Sequence, residues 1–346
     1  MENQTDFNLH PESSVTVQPF DISSTSSSSL FNSNIRWDIM DIIAASDLTS
    51  RANYVYAFCA LLGFASACFL LYSFIQSYRA HRGLAWLDSL LWAFCGFHLL
   101  LLLLSLSSVA HRPKYLEVTH LSCAALAFAV NMASLCVVFL LVLIGYALIY
   151  DPPTHAILRR PGVCVALGVL VSVSCSLLLA GLRDSPGDLS SVGNCIIHHT
   201  KAGRSYATAK LCLGVVIPYV LLLGLLIASC VRQWKSSSRF LSGSEEGPMF
   251  LVVSVVIFVC QLFHGIVLIR AVKKQGEALN PHESAFLDVS EFVMFSGSCL
   301  SLVLVLLLHR PSRDSLLEVW RQLRECCRGL GGRQTHRHIT DPQVLL

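Results

Sequence analysis

The stretch Leu121–Pro153, LSCAALAFAVNMASLCVVFLLVLIGYALIYDPP, decides the fold class. No charged residue interrupts it before Asp151, so it exceeds the roughly 20 apolar residues that a helix needs to cross a bilayer. It stops at Asp151-Pro152-Pro153, where proline cannot continue a helix. A polar side chain such as Asn131 must face protein or a water pocket when it sits at membrane depth. The expectation is a helix at the centre of a bundle, with the others packed around it.

Working outward, six more apolar blocks flank this one: roughly 53–77, 85–109, 162–181, 207–231, 249–270 and 285–309, with the central block at 119–149. The fourth in chain order is short and poor in aromatics, and the seventh carries Asp288 and Glu291. Over the whole chain 54% of residues are hydrophobic and only 14% charged, where a soluble domain has about a quarter charged. These features point to an all-α membrane protein, a seven-transmembrane helix bundle. A net charge of +3 is too small to suggest a nucleic acid partner. Most of the 14 cysteines lie inside apolar blocks, where a free thiol behaves as a small apolar group. No C-x-x-C, H-E-x-x-H or H-x-x-x-D string occurs, so neither a metal, a cofactor nor an enzymatic site is expected.

Residues 1–52 are polar and acidic, with a serine run at Ser23-Ser24-Thr25-Ser26-Ser27-Ser28-Ser29, and read as a disordered tail. Asn3-Gln4-Thr5 is a glycosylation sequon if that tail faces out. Residues 53–309 form the seven-span domain and 310–346 a C-terminal tail. An odd number of spans puts the termini on opposite sides. With the N-terminus outside, 14 Lys and Arg fall on the cytosolic side against 10 outside, the direction the positive-inside bias requires. A multi-pass plasma membrane protein with an extracellular N-terminus is therefore expected. In Pro311–Arg328, Leu316, Leu317, Trp320 and Leu323 recur at helical spacing, with Arg313, Arg321 and Arg324 largely on the other face. That pattern predicts a short amphipathic eighth helix lying on the membrane surface. It ends in Cys326-Cys327, adjacent juxtamembrane cysteines that suggest palmitoylation.

Local strings then suggest a family. Phe128-Ala129-Val130-Asn131-Met132-Ala133-Ser134 resembles the F-x-V-N-M-x-S stretch of rhodopsin-like (class A) G-protein-coupled receptors, especially the peptide and chemokine branch. Val216-Ile217-Pro218 resembles the mid-helix proline of that family's fifth span. Ser298-Cys299-Leu300-Ser301-Leu302-Val303-Leu304-Val305 resembles its S-C-L-N-P-x-x-Y string. Gly63-Phe64-Ala65-Ser66-Ala67 looks like a G-x-x-G-N pattern without its asparagine. The resemblance covers roughly residues 53–328, and the order and spacing of the strings carry it. The departures matter as much. The D-R-Y triad falls on Gly145-Tyr146-Ala147, the toggle tryptophan on Gln261, and the N-P-x-x-Y proline and tyrosine on Leu302 and Val305. The sodium-binding aspartate falls on Phe94, with Asp88 six residues earlier.

The resemblance implies an orphan receptor that binds an extracellular peptide or small molecule, with degenerate switch motifs and a heterotrimeric G protein or arrestin as partner. Cys123 and Cys195 are the two cysteines placed well outside the hydrocarbon on the oxidising side, and a bond between them would pin the second outer loop over the bundle mouth. Alternatively they are two free thiols. Glu291 falls where chemokine receptors keep a glutamate for basic ligand groups, or it pairs structurally with His264 or Lys210. His98, Asn131, Gln261, His264 and Asp288 are the other candidates for the same pocket. His198-His199 lacks a third ligand for zinc. A receptor-derived scaffold or trafficking partner is the alternative function. A seven-span transporter fits less well, because no internal repeat is visible and the charges sit near the span ends.

Overall fold

The computed structural model describes residues 39–82, 85–110, 117–150, 160–182, 192–194, 203–236, 246–274 and 281–335. They form α1 (Ile39–His81), α2 (Trp86–Ala110), β1 (Glu117–Thr119), α3 (His120–Ile149), α4 (Pro161–Gly181), β2 (Val192–Asn194), α5 (Arg204–Leu211), α6 (Ile217–Ser236), α7 (Gly247–Lys273), α8 (Pro281–Leu308) and α9 (Arg310–Thr335). A π turn, Cys212–Val216, joins α5 to α6 in one continuous span. Seven helical spans among the described residues are long and apolar enough to cross a membrane. The chain is a multi-pass, seven-helix bundle with an eighth, amphipathic helix.

The first helix begins at Ile39, well before the apolar block that starts near residue 53. Nothing between them breaks a helix. Asp41 sits in the first turn, where the helix dipole favours an acid, and an Asp47–Arg51 ion pair at 2.8 Å braces the next turns. These polar residues hid the helix from a hydropathy reading. The amphipathic helix likewise runs past Arg328, to Thr335. Leu317, Trp320 and Leu323 on it are all more than half exposed, a stripe suited to a membrane surface.

The third helix is the centre. It buries 67% of its most apolar window and α8 buries 61%, against 17% for the fifth span. α3 packs against α2, α4 and α6, while α8 packs against α1 and α7. In a bilayer such contacts rest on close van der Waals fit through small residues rather than on expulsion of water. Gly63 shows this: a Cβ there would lie 2.8 Å from the Cβ of Cys299 on α8. Pro218 is buried just after the π turn. Having no N–H, proline leaves the preceding turn short of a hydrogen bond, and the wider turn absorbs the mismatch.

Gly145, Ala147, Ser301, Leu302 and Val305 are packed into the core. At Gly145 an added Cβ would sit 2.8 Å from Cζ of Phe250 on α7 and 3.1 Å from Cδ2 of Leu222 on α6. Ala147 is buried, Leu302 and Val305 are almost fully so, and Ser301 Oγ donates to its own helix at Gly297 O, 2.8 Å away. Tyr146 stacks on Tyr150 with ring centroids 4.9 Å apart. Gly145→Ala is expected to lower the melting temperature of the detergent-purified chain, by about 1–3 kcal/mol of overpacking. Adding Phe250→Leu should recover most of the loss; no recovery would mean that Gly145 is not held by this contact.

Candidate functional site

Among the described residues, two clusters that bring together polar side chains from three or more helices stand out in the largely apolar interior. The first lies where α3, α5, α7 and α8 meet. Asn131 Nδ2 donates to Tyr206 Oη at 3.1 Å, Gln261 Nε2 reaches Ser134 Oγ at 3.5 Å, and His264 Nδ1 lies 3.1 Å from Ser290 Oγ. Asn131, Ser134, Lys210, Gln261 and His264 line one cavity of about 30 Å³. His98, Ser134 and Gln261 line a second of about 10 Å³ beside it. One water needs roughly 10–15 Å³, so together they hold only a few waters. His98 is fully buried, edge-on to Phe94 at 4.4 Å, and neither ring nitrogen has a hydrogen-bond partner among the described residues. Lys210 Nζ lies 5.9 Å from the centroid of the Tyr206 ring. No carboxylate pairs with it among the described residues.

Asn131, Gln261 and His264 line the first cavity, and His98 shares only the second with Gln261. Glu291 is buried on α8 and Asp288 half-buried one turn before it, but neither lines these two cavities. Ser134, Tyr206 and Ser290 join the cluster without having been legible as candidates, since isolated hydroxyls in apolar helices carry no pattern of their own.

The second cluster lies at the opposite end of the bundle, where α2 and α7 begin and α8 finishes. His309, in the elbow between α8 and α9, is 1% exposed. Its Nε2 is 3.6 Å from Asp88 Oδ1 and 3.4 Å from Glu246 Oε1. Its Nδ1 is 2.9 Å from Oγ of the fully buried Ser312, and its ring packs on Phe74 of α1 at 5.6 Å between centroids. Both carboxylates also sit at helix starts, where the dipole favours an acid, and His309 stands between the end of α8 and the start of α9. Asp88 is in the first turn of α2, Glu246 caps the start of α7, and His309 follows the C-terminus of α8. Burial alone would push the His309 imidazole down; the two carboxylates overcome this and hold it up at about 9. The ring is therefore a cation at neutral pH unless another cation takes its place.

This cluster escaped the sequence reading, although a signal was present. In a seven-pass weave, the start of span two, the start of span six and the end of span seven must share one end. A titratable residue stands at each of those three places.

The side chain of Cys123 and all of Cys195 lie outside the described residues, as do Asn3, His198-His199 and the side chain of Cys327. The backbone does bring the two loops together. β1 pairs antiparallel with β2, Glu117 against Asn194 and Thr119 against Val192, so the loop before α5 is tied to the start of α3. Cys326 is exposed on α9. No protein-family model matches the chain, and no curated protein matches it.

Removing the His309 cation should leave Asp88 and Glu246 facing each other. Both keep some contact with water, so the cost should be roughly 2–3 kcal/mol, below the 3–5 of a fully buried broken pair. His309→Ala is expected to lower the melting temperature, and Asp88→Asn with Glu246→Gln in the same chain should restore part of it. Equal melting of His309→Ala and the parent chain would show that the contact is energetically idle.

Proposed function

We propose that this chain is a receptor-like membrane protein that binds an extracellular small molecule or peptide at the cluster around Asn131, Gln261 and His264, and that lacks the usual class A switch. The carrying observation is the convergence of Asn131, Ser134, Lys210, Gln261 and His264 from three spans on one cavity inside a largely apolar bundle. Polar and ionisable groups at membrane depth are expensive and mark binding or transport paths. Lys210, unpaired with any acid among the described residues, favours a ligand that brings a negative group. The plasma membrane, with the N-terminus outside and the Arg-rich tail inside, is the location that the charge bias supports. The Cys123–Cys195 bond would lock the loop that β1 and β2 already tie down, and palmitate on Cys326 and Cys327 would anchor α9. Peptide mapping of the purified chain reads both: a free Cys195 or an unacylated Cys326-Cys327 pair rejects the corresponding proposal.

The small size of the closed cavity favours a second reading, a receptor-derived scaffold or trafficking partner that takes no ligand. Both readings share the loss of the switch. A two-state switch needs groups that interact differently in its two states, and Gly145, Ala147, Leu302 and Val305 offer only fixed apolar packing.

The test is ligand-free and ligand-screened nucleotide exchange across the heterotrimeric G-protein classes, with arrestin recruitment measured alongside, in cells whose copy carries an N-terminal epitope. The epitope should stain without permeabilisation. Exchange should be weak or absent, with any output through arrestin or internalisation. Robust G-protein activation, or an epitope seen only after permeabilisation, overturns this account.

A further inference from the structure

We infer that Asp88, Glu246 and His309 form a binding site for a divalent transition-metal ion of the zinc type, which clamps the ends of α2, α7 and α8 together. The donor atoms Asp88 Oδ1, Glu246 Oε1 and His309 Nε2 all lie within 4.8 Å of one another. The two measured separations from Nε2, 3.4 and 3.6 Å, are long for hydrogen bonds, which cluster at about 2.7–3.2 Å. They match the spacing between neighbouring ligands on a tetrahedral zinc: with metal–ligand bonds of about 2.0–2.2 Å, those ligands stand roughly 3.3–3.6 Å apart.

A second, independent observation points to a ligand there. His309 is 99% buried, and its Nε2, aimed between the two carboxylates, has only their longer ion-pair contacts and no hydrogen-bond partner among the described residues. Glu246 Oε2 is also buried and without one. It stands ready as a fourth donor beside Oε1, or that place is left for a water. On the far side of the ring, Ser312 Oγ lies 2.9 Å from Nδ1; when it accepts the Nδ1 proton, the Nε2 lone pair is left for the metal. Such a partner behind a ligating histidine is how metal sites fix the ring and its tautomer. Charge decides in the same direction. Two carboxylates, a neutral imidazole and a divalent ion sum to zero. Imidazole with carboxylates suits zinc and its neighbours, while calcium and magnesium prefer sets made of oxygen alone.

The experiment uses the full chain purified in detergent without chelators. Zinc content is measured by mass spectrometry, and Co²⁺ serves as a coloured probe titrated into the chelator-stripped protein. One ion per chain is expected. Co²⁺ should give a tetrahedral visible band that Zn²⁺ displaces, and zinc should raise the melting temperature where Mg²⁺ does not. Asp88→Asn and Glu246→Gln, which keep the side-chain volume, should each weaken binding tenfold or more, and Ser312→Ala about tenfold through the ring it holds. Glu283→Gln, at the other end of the bundle, should change nothing. His309→Ala should abolish the band; if that variant does not fold, the two amide variants decide the matter. Overturning results are zinc well below stoichiometry with no change in melting, or Co²⁺ binding that survives Asp88→Asn and Glu246→Gln unchanged.

Discussion

One requirement runs through the structure: a positive centre must stand between Asp88 and Glu246. The two carboxylates come from helices that begin at the same end of the bundle, and each lies where a helix dipole welcomes a negative charge. Brought together in a half-buried place, they repel unless a cation separates them. His309 meets the need from between the end of α8 and the start of α9. Whether the ring carries a proton or ligates a metal, the consequence is the same. The start of α7, the start of α2 and the elbow into α9 are tied at one point, with Phe74 of α1 covering the ring.

The packing above that point is consistent with a bundle held shut. Gly145 lets Phe250 press against α3, in the same region where α7 leaves Glu246. Leu302 and Val305 fill the space beside it. In such a core, movement of α7 away from α3 would open a void and strand a charge at once. Interiors with this fit tend to have discrete arrangements rather than graded ones. Gln261 and His264 of the polar cavity also sit on α7, farther along from this point.

The bundle itself was legible because hydrocarbon leaves little choice. Seven long apolar runs must be helices, since backbone groups in a bilayer need internal partners, and the uncharged run before Asp151 marked the central one. The start of α1 was not legible, because Asp41, Asp47 and Arg51 look like a tail when only hydropathy is read, yet they support the helix. In the polar cavity, Asn131 and His264 stood out as costly residues at depth, while Ser134 and Tyr206 matter only once their neighbours are known. Asp88 and Glu246 looked like ordinary acids at span ends. Their meaning appears only when His309, more than 60 residues after Glu246 in the chain, is brought against them.

The most direct measurement is backbone hydrogen exchange on the detergent-purified chain and its His309→Gln variant, which keeps a polar side chain but loses the cationic centre. If the cation ties these helix ends together, exchange should quicken in residues 247–253 and 86–92, with α3 and α4 unchanged. Exchange that is unaltered in both segments, or quickened evenly through all the spans, would contradict the claim that His309 pins α7 to α2.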